Sequence, residues 1–411
     1  MLNKVWSLAE VNQQVETWGL KHGFQLGTPK PLIRSTRRLP YVVSSPLDLY
    51  LPYFKQVPKN FPSRMLALQL CLRQLPLVAL EQQVLQASLQ PLYGVFSFIK
   101  QDLFQHFARL KHLLVDQFGL DQRNIYVMYA EDNTAVAKAN PFQAIPYPKE
   151  RLQCDLPLPS SAQYVKINYH YRQGLVPVIN LCLIQQTGTQ VLLDGVLYPE
   201  RFQFILSHLD HQYALPAYQK TVAQLNAWGL PYPLACALSQ HWRTILYLRA
   251  CGLQPSAQKL GYVLRKYERE AFNSLLWQAE GEEKLVQLAR MALRADPILL
   301  EEVALPPILE HFKAYYQLTK KQLKQAPHSG TITYEMALTL KERYGLYPEV
   351  YRQYLEDQGA DVHFVGWPKK QTEDSVAPYH FDVAKNKIMT PKAWALERIK
   401  TPFHKAWQSK A

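Results

Sequence analysis

Four side chains stand where chemistry on an anionic substrate could be done: Arg73, Asn180, Asp194 and Arg201. Arg73 lies in LQLCLRQL, flanked by apolar residues, and Arg201 follows the strand–turn segment VLLDGVLYPER. Arginine suits phosphate because its planar fork donates to two oxygens at once and stays charged. Asp194 follows three apolar residues, which places a carboxylate at the end of a buried strand, and Asn180 interrupts the apolar run PVINLCLI. Each also has an architectural reading: Arg73 can snorkel, Asn180 can satisfy a bulge, and Asp194 can cap a turn. Composition and spacing alone favour those plainer readings. The chain lacks a G-x-x-x-x-G-K-S/T loop, a G-x-G-x-x-G loop, an H-E-x-x-H helix and a G-x-S-x-G elbow. Any bound phosphate must therefore be held by side chains. His208 and His211 lack a third ligand in sequence and read as a solvated helical face.

The elements that must position these residues belong to a chain of 411 residues, long enough for two or three domains. With 48% hydrophobic and 19% charged residues, it can bury a large core, which excludes wholesale disorder. The 46 Lys and Arg outnumber 33 Asp and Glu by 13, a surplus that favours polyanionic partners, nucleic acid first. Five widely spaced cysteines with no C-x-x-C pair give neither a disulfide framework nor a zinc signature. Glu10 and Glu16 break up the N-terminal segment where a signal peptide needs an apolar stretch, and no apolar run could span a bilayer. A cytoplasmic protein is expected.

Apolar spacing predicts helices over 5–22 and 103–118, the latter with Phe104, Phe107, Leu110, Leu114 and Phe118 along one stripe. Residues 30–55 read as irregular or extended, and 66–80 as strand or helix. Strands are expected over 124–129, 164–171, 176–185 and 190–193, with Thr187-Gly188 supplying a turn. Pro199 opens a helix, and from about 215 the pattern is almost wholly helical: 217–227, 233–251, 257–279, 283–294, 297–323, 332–344 and 348–357. Beyond 360 the chain reads as a basic, loop-like tail. Strands that follow each other without long intervening helices favour an antiparallel sheet. The fold class expected is α+β.

His241–Ala271, HWRTILYLRACGLQPSAQKLGYVLRKYEREA, resembles without a gap the alanyl-tRNA synthetase segment H-x-R-S-x-x-F-x-I-x-x-G-x-x-P-S-N-x-x-R-G-Y-V-L-R-R. His241, Arg243, Gly252, Pro255, Ser256 and the block Gly261 to Arg265 are retained. Weaker matches follow the family's order. Val178 to Leu181, ending at Gln185, resembles I-W-N-L-V-F-x-Q, and Asp194 to Arg201 resembles D-T-G-M-G-L-E-R with Asp194, Glu200 and Arg201 kept at the same spacing. Cys71-Leu72-Arg73 resembles the C-x-R of the second class II motif, LYGVFSF the L-G-N-F-S-F after it, and ALTLKERYGLYP the family's A-F-x-L-x-D-T-Y-G-F-P. The resemblance covers about residues 5–360, and the family's editing and C-terminal domains are not expected.

The resemblance implies a class II synthetase-like catalytic domain over 1–215, a helical tRNA-recognition-like domain over 216–360 and a basic tail over 361–411. It implies that Arg73 holds the α-phosphate of ATP and the substrate carboxylate, and Arg201 the β- and γ-phosphates. Asp194 would pair with the substrate ammonium and Asn180 would hydrogen-bond a small amino acid. Mg²⁺ is expected with ATP, without an assignable protein ligand. On the helical side Lys259, Lys266 and Arg269 would face RNA, Arg243 and Arg265 would have a structural or RNA-facing role, and Ala257 and Glu342 stand where the family's Asn and Asp read a G·U wobble pair. Lys369, Lys370, Lys385 and Lys387 add charge in the tail.

This chain departs from the pattern elsewhere. QLPLVALE replaces H-N-D-L-E, DLPLPSSAQYVK replaces D-T-G-P-C-G-P-C-S-E, and Val196 and Tyr198 replace two glycines. A diverged paralogue is implied: an ATP-dependent ligase charging a small amino acid, alanine foremost, onto tRNA or a related acceptor. The alternative is a catalytically silent paralogue that binds tRNA or a protein as a regulatory module. A third reading, transfer to a carrier protein or small molecule, gives the helical domain no task.

Overall fold

The computed structural model describes residues 4–35, 40–77, 80, 85–154, 156, 162–172, 174–275, 281–299, 303–367, 380–382 and 387–389. They divide into two compact units: one holds the described residues up to 75, those from 80 to 215 and those after 379, the other residues 76–77 and 216–367.

The first unit is built on one mixed sheet. Its strands, with a small side ribbon, are β1 Gln25–Gly27, β2 Ile33–Ser35, β3 Pro40–Val42, β4 Arg64–Leu72, β5 Leu89–Asp102, β6 Ile125–Ala130, β7 Gln143–Tyr147, β8 Gln153–Cys154, β9 Ala162–Tyr171, β10 Gly174–Thr187 and β11 Gln190–Leu197. The main order is β1-β4-β5-β11-β10-β9-β6-β7, with β8 also on β9, while β2 pairs with β3 apart. In this sheet only the β1–β4 and β6–β7 pairings are parallel among the described residues. The central five strands are antiparallel, because tight connections such as the one through Gly188, at φ 57°, leave no room for a crossover.

Helices cover both faces. Leu8–Lys21 starts with a capping box, Ser7 accepting from the Glu10 N–H at 3.1 Å and Glu10 accepting from the Ser7 N–H at 2.7 Å. It buries Leu8, Val11, Val15 and Trp18, the face its spacing predicts. Leu103–Lys111 runs into a π-helical turn, His112–Gln117. Leu110 and Leu114 are buried as expected, but Phe104 faces solvent at 48% exposure.

The irregular reading of 30–55 missed the helix Leu47–Lys55, whose sequence is interrupted by Pro52. Tyr50 and Phe54 fix it against the sheet, with ring centroids 4.7 Å from Phe96 and 5.0 Å from Phe98. His208 and His211 are not on a helix. Pro199–Leu206 ends before them, and His208 turns the chain at φ 55°.

The second unit contains helices Pro216–Ala227, Tyr232–Ala250, Lys259–Asn273, Gly281–Ala295, Pro306–Gln325, Tyr334–Tyr344 and Pro348–Asp357. The loop-like reading beyond 360 is corrected by a strand, β13 Val362–Val365, which pairs in parallel with β12 Gly330–Thr333. Ile332, Leu346, Tyr351 and Leu355 form the local core beneath that ribbon. Lys369, Lys370 and Lys385 lie outside the described residues, as does the side chain of Lys387. No helix among the described residues is long and apolar enough to cross a membrane.

Candidate functional site

Strand alternation decides which residues share a face. Asn180 sits opposite Val196, Cys182 opposite Asp194, and Phe96 on the other side of Asp194. On β4, Met65 faces Phe96 and Ala67 faces Gly94, so the same alternation carries Gln69, Cys71 and then Arg73 along this face. Arg73 lies just past the end of β4 and is exposed, contrary to burial by its apolar neighbours. Asp194 is mid-strand in β11 and not at a strand end.

Asp194 is 8% exposed, and its Oδ1 has no hydrogen-bond partner among the described residues. Burial pushes its carboxyl up to about 7, with Cys154 and Asp48 adding to the rise. Around it lie Phe96, Cys182 and Tyr164, and burial and the Asp194 charge both push the Tyr164 phenol up. Asp48 is held by Ser44 and Ser45 at the start of the Leu47–Lys55 helix, at 2.7 Å from the Ser44 N–H. An uncompensated carboxylate in such a setting invites a cation.

One strand over, Asn180 donates from Nδ2 to the Tyr198 hydroxyl at 2.8 Å, while its Oδ1 is buried without a partner among the described residues. Tyr198 also lies under Arg201, whose guanidinium carbon is 3.8 Å from the ring centroid. Arg201 donates to the carbonyls of Pro177 at 2.6 Å and Leu85 at 2.8 Å. Burial lowers its pKa to about 10, Tyr198 and Glu200 oppose that fall, and the Arg73 charge adds to it. Arg73 and Arg201 thus act on one another electrostatically at one end of the face. Two of the five guanidinium N–H groups of Arg201 orient it, and phosphate chemistry fits the others. Among the described residues, no group of three or more His, Cys, Asp or Glu could hold a metal ion.

Sequence reasoning missed Cys154, Tyr164 and the Leu47–Lys55 helix as the surroundings of Asp194. The Leu47, Tyr50, Phe54 spacing after Ser44-Ser45 was the available signal for the helix.

The residues singled out on the helical unit separate by burial. Arg243 is 2% exposed, its Nε 2.5 Å from Asp296 Oδ2, with Nη1 donating to the Tyr218 hydroxyl. That corrects the RNA-facing reading of Arg243 in favour of the structural one: enclosed by its own unit, it offers no donor to a nucleic acid. His241 is likewise buried, bonded to Glu270 at 2.7 Å, and Glu270 also accepts from the Leu77 N–H. Burial lowers the His241 pKa, so we read the imidazole as neutral and the Glu270 carboxylate as its acceptor.

Gly261 is required by a close turn: a Cβ there would collide with Ser256 Oγ and lie 2.7 Å from the Gln254 carbonyl. Gly252 closes the Tyr232–Ala250 helix at φ 78°. Arg269 is half-buried over the Tyr315 ring, and Arg265 is half-buried beside Tyr262. Ala257, Lys259, Lys266 and Glu342 are exposed.

An antiparallel-dominated sheet with flanking helices, followed in the chain by a helical run, is the α+β arrangement expected from the sequence. The sequence is similar to those of alanine–tRNA ligases. It is 25% identical over 158 residues to that of Pyrococcus furiosus, covering 35% of this chain and 17% of that protein. It is 26% identical over 209 residues to that of Bordetella parapertussis, covering 45% and 24%. The matched region thus spans about a fifth of those relatives. No family profile matches. Solved structures that overlap include apo histidyl-tRNA synthetase of S. aureus, at TM-score 0.35 and 10% identity, covering 48% of this chain and 66% of that one. Entamoeba histolytica asparaginyl-tRNA synthetase overlaps at TM-score 0.35 and 11% identity, covering 50% and 64%.

Proposed function

We propose that this protein activates a small amino acid, alanine foremost, with ATP and transfers it to tRNA or a related acceptor. The observation that supports this best is the pair of buried oxygens, Asn180 Oδ1 and Asp194 Oδ1, without partners on adjacent strands of one face. An α-ammonium carries three N–H donors and a positive charge, which would satisfy both oxygens and compensate Asp194. Phe96 beside Asp194 and Val196 opposite Asn180 would then favour a small side chain. In this reading Arg73 and Arg201 bind the phosphates, and charge developing at the α-phosphorus is stabilised by cations already in place. The substrate carboxylate attacks that phosphorus and pyrophosphate leaves. Mg²⁺ would neutralise the leaving pyrophosphate, held mainly by the nucleotide.

On the helical unit, Lys259 and Lys266 would contact acceptor-stem phosphates, and Arg265 and Arg269 would support that surface. Ala257 and Glu342 would not read a wobble pair as the family's Asn and Asp do. Five free cysteines suit a reducing compartment such as the cytoplasm. The test is ligand-induced stabilisation: alanine with ATP and Mg²⁺ should raise the melting temperature of wild type and not of Asp194→Asn. ATP alone should lose its effect in Arg73→Ala. No shift by any of these ligands removes the proposal.

One observation favours the silent alternative. Tyr198, standing for a glycine of the family, both bonds Asn180 and stacks on Arg201. In that reading the ring occupies the triphosphate site, and the chain is a tRNA- or protein-binding module. Tyr198→Gly then creates ATP binding where wild type has none.

A further inference from the structure

On the opposite face of the sheet, a cluster of basic side chains forms no ion pair with an acid among the described residues. The Leu8–Lys21 helix ends at Lys21 and His22, Arg64 opens β4, and His106, Arg109 and His112 come from the Leu103–Lys111 helix and its π-helical continuation. Lys21 Nζ lies 2.9 Å from His112 Nε2, and the His22 and His112 rings meet edge-on at 4.9 Å. Arg64 donates to the His22 carbonyl at 3.0 Å, and the Arg109 carbonyl accepts from Trp18 Nε1 at 2.8 Å. His106 and Arg109 line one small cavity together with Trp18, Phe24 and Val95.

Five side-chain nitrogens here are buried without a partner among the described residues: His22 Nε2, Arg64 Nε, His106 Nε2, Arg109 Nη1 and His112 Nδ1. His106 itself is 4% exposed. An ammonium cannot accept, so His112 accepts from Lys21 at Nε2 and carries its proton at the unpartnered Nδ1, as a donor. None of Lys21, Arg64 and Arg109 is in an ion pair among the described residues. After burial, the charges of Arg109, Lys21 and Arg64 lower the His22 pKa, and His112 acts in the same direction. The same holds for His106, which faces Arg109 and Arg64.

We propose that the Lys21, His22, Arg64, Arg109 and His112 cluster is a binding site for a phosphate group, distinct from the Asp194 face. Basic side chains meet here from two helices and a strand, more than a carboxylate's two oxygens can engage, whereas a phosphate accepts from several directions at once. Buried donors without partners are costly to keep, and a bound oxyanion satisfies them while compensating the cations. Lys21 is exposed, and His22, Arg64, Arg109 and His112 are half-buried, so the cluster borders solvent, and an anion reaches their buried nitrogens as these side chains turn outward to meet it. The inference does not rest on the amino-acid site, because Asp194 and the cavity-lining Leu193 and Leu181 point to opposite faces.

The phosphate could be free or part of a nucleic-acid backbone, and two probes distinguish these. Inorganic phosphate and a short single-stranded RNA are each titrated into the full chain at constant ionic strength, followed by melting temperature and by phosphorus-31 line width. The site predicts binding of at least one probe, weakened about tenfold or more in a Lys21→Gln/His112→Gln double variant and in Arg109→Gln. Binding of phosphate itself identifies a free-anion site; binding of RNA alone, lost in the same variants, identifies the backbone. The double variant changes two solvent-accessible side chains, so unaltered circular dichroism and unfolding show that the loss is local. If neither probe binds wild type at roughly 10 mM phosphate, or if both variants bind like wild type, the proposal is overturned.

Discussion

Asp194 and Arg243 are both buried charges, and their surroundings differ in kind. Arg243 is matched by Asp296 at 2.5 Å and capped by the Tyr218 hydroxyl. Asp194 has Phe96, Cys182 and a second carboxylate, Asp48, near it, and one of its oxygens has no partner among the described residues. A compensated buried charge holds helices together, whereas an uncompensated one is a cost that only a ligand removes. The comparison also explains where sequence similarity is strongest. His241, Arg243, Gly252 and Gly261 serve packing and turns of one helical unit, and packing tolerates little change.

Removing one partner from the compensated site should give the largest effect. Asp296→Ala leaves Arg243 buried and unpaired, and should cost about 3–5 kcal/mol in denaturant unfolding. A loss under about 1 kcal/mol would show that the pair is not buried as described.

Asp194→Asn should act in the opposite direction. Its carboxyl is held at about 7, against about 3.9 in an unfolded chain. The native state therefore binds more protons between those values, and stability falls as pH rises from about 4, with the full penalty present above about 7. The neutral variant should be more stable than wild type at pH 8 by up to about 4 kcal/mol, and the difference should vanish near pH 4. Melting curves across that range would show it. A variant less stable than wild type at pH 8 would place a cation at Asp194 already.

Gly261→Ala tests the turn. Its Cβ meets Ser256 Oγ and the Gln254 carbonyl, and should lower stability by about 1–3 kcal/mol. The surface should be the most tolerant: Lys259→Glu/Lys266→Glu should leave the melting temperature unchanged. If RNA is bound there, each lost phosphate contact should flatten the slope of log affinity against log salt by roughly 0.7–0.9. An unchanged slope would shift the partner of this surface from RNA to protein.

These outcomes also mark what was legible in the sequence. Alternation and continuous apolar runs locate β9, β10 and β11, and helical spacing locates most of the second unit, because both report burial on one face. The Leu47–Lys55 helix was hidden by Pro46 and Pro52, since proline weighs against a helix even when aromatics at helical spacing hold it to a sheet. At the candidate site, Asp194, Asn180, Arg73 and Arg201 could be picked out by type and by resemblance. Their sharing of one face depends on pairing register across β4, β5, β11 and β10, which no local pattern encodes. The double role of Tyr198 was invisible for the same reason. Burial of Arg243 was missed because a long basic side chain is ordinarily exposed.

The most direct measurement of the central claim is alanine-dependent exchange of labelled pyrophosphate into ATP by the purified full chain with Mg²⁺. The account predicts exchange by wild type, abolished in Asp194→Asn even though that variant is the more stable protein at pH 8. Absence of exchange by folded wild type at saturating alanine and ATP, or exchange undiminished in Asp194→Asn, would contradict it.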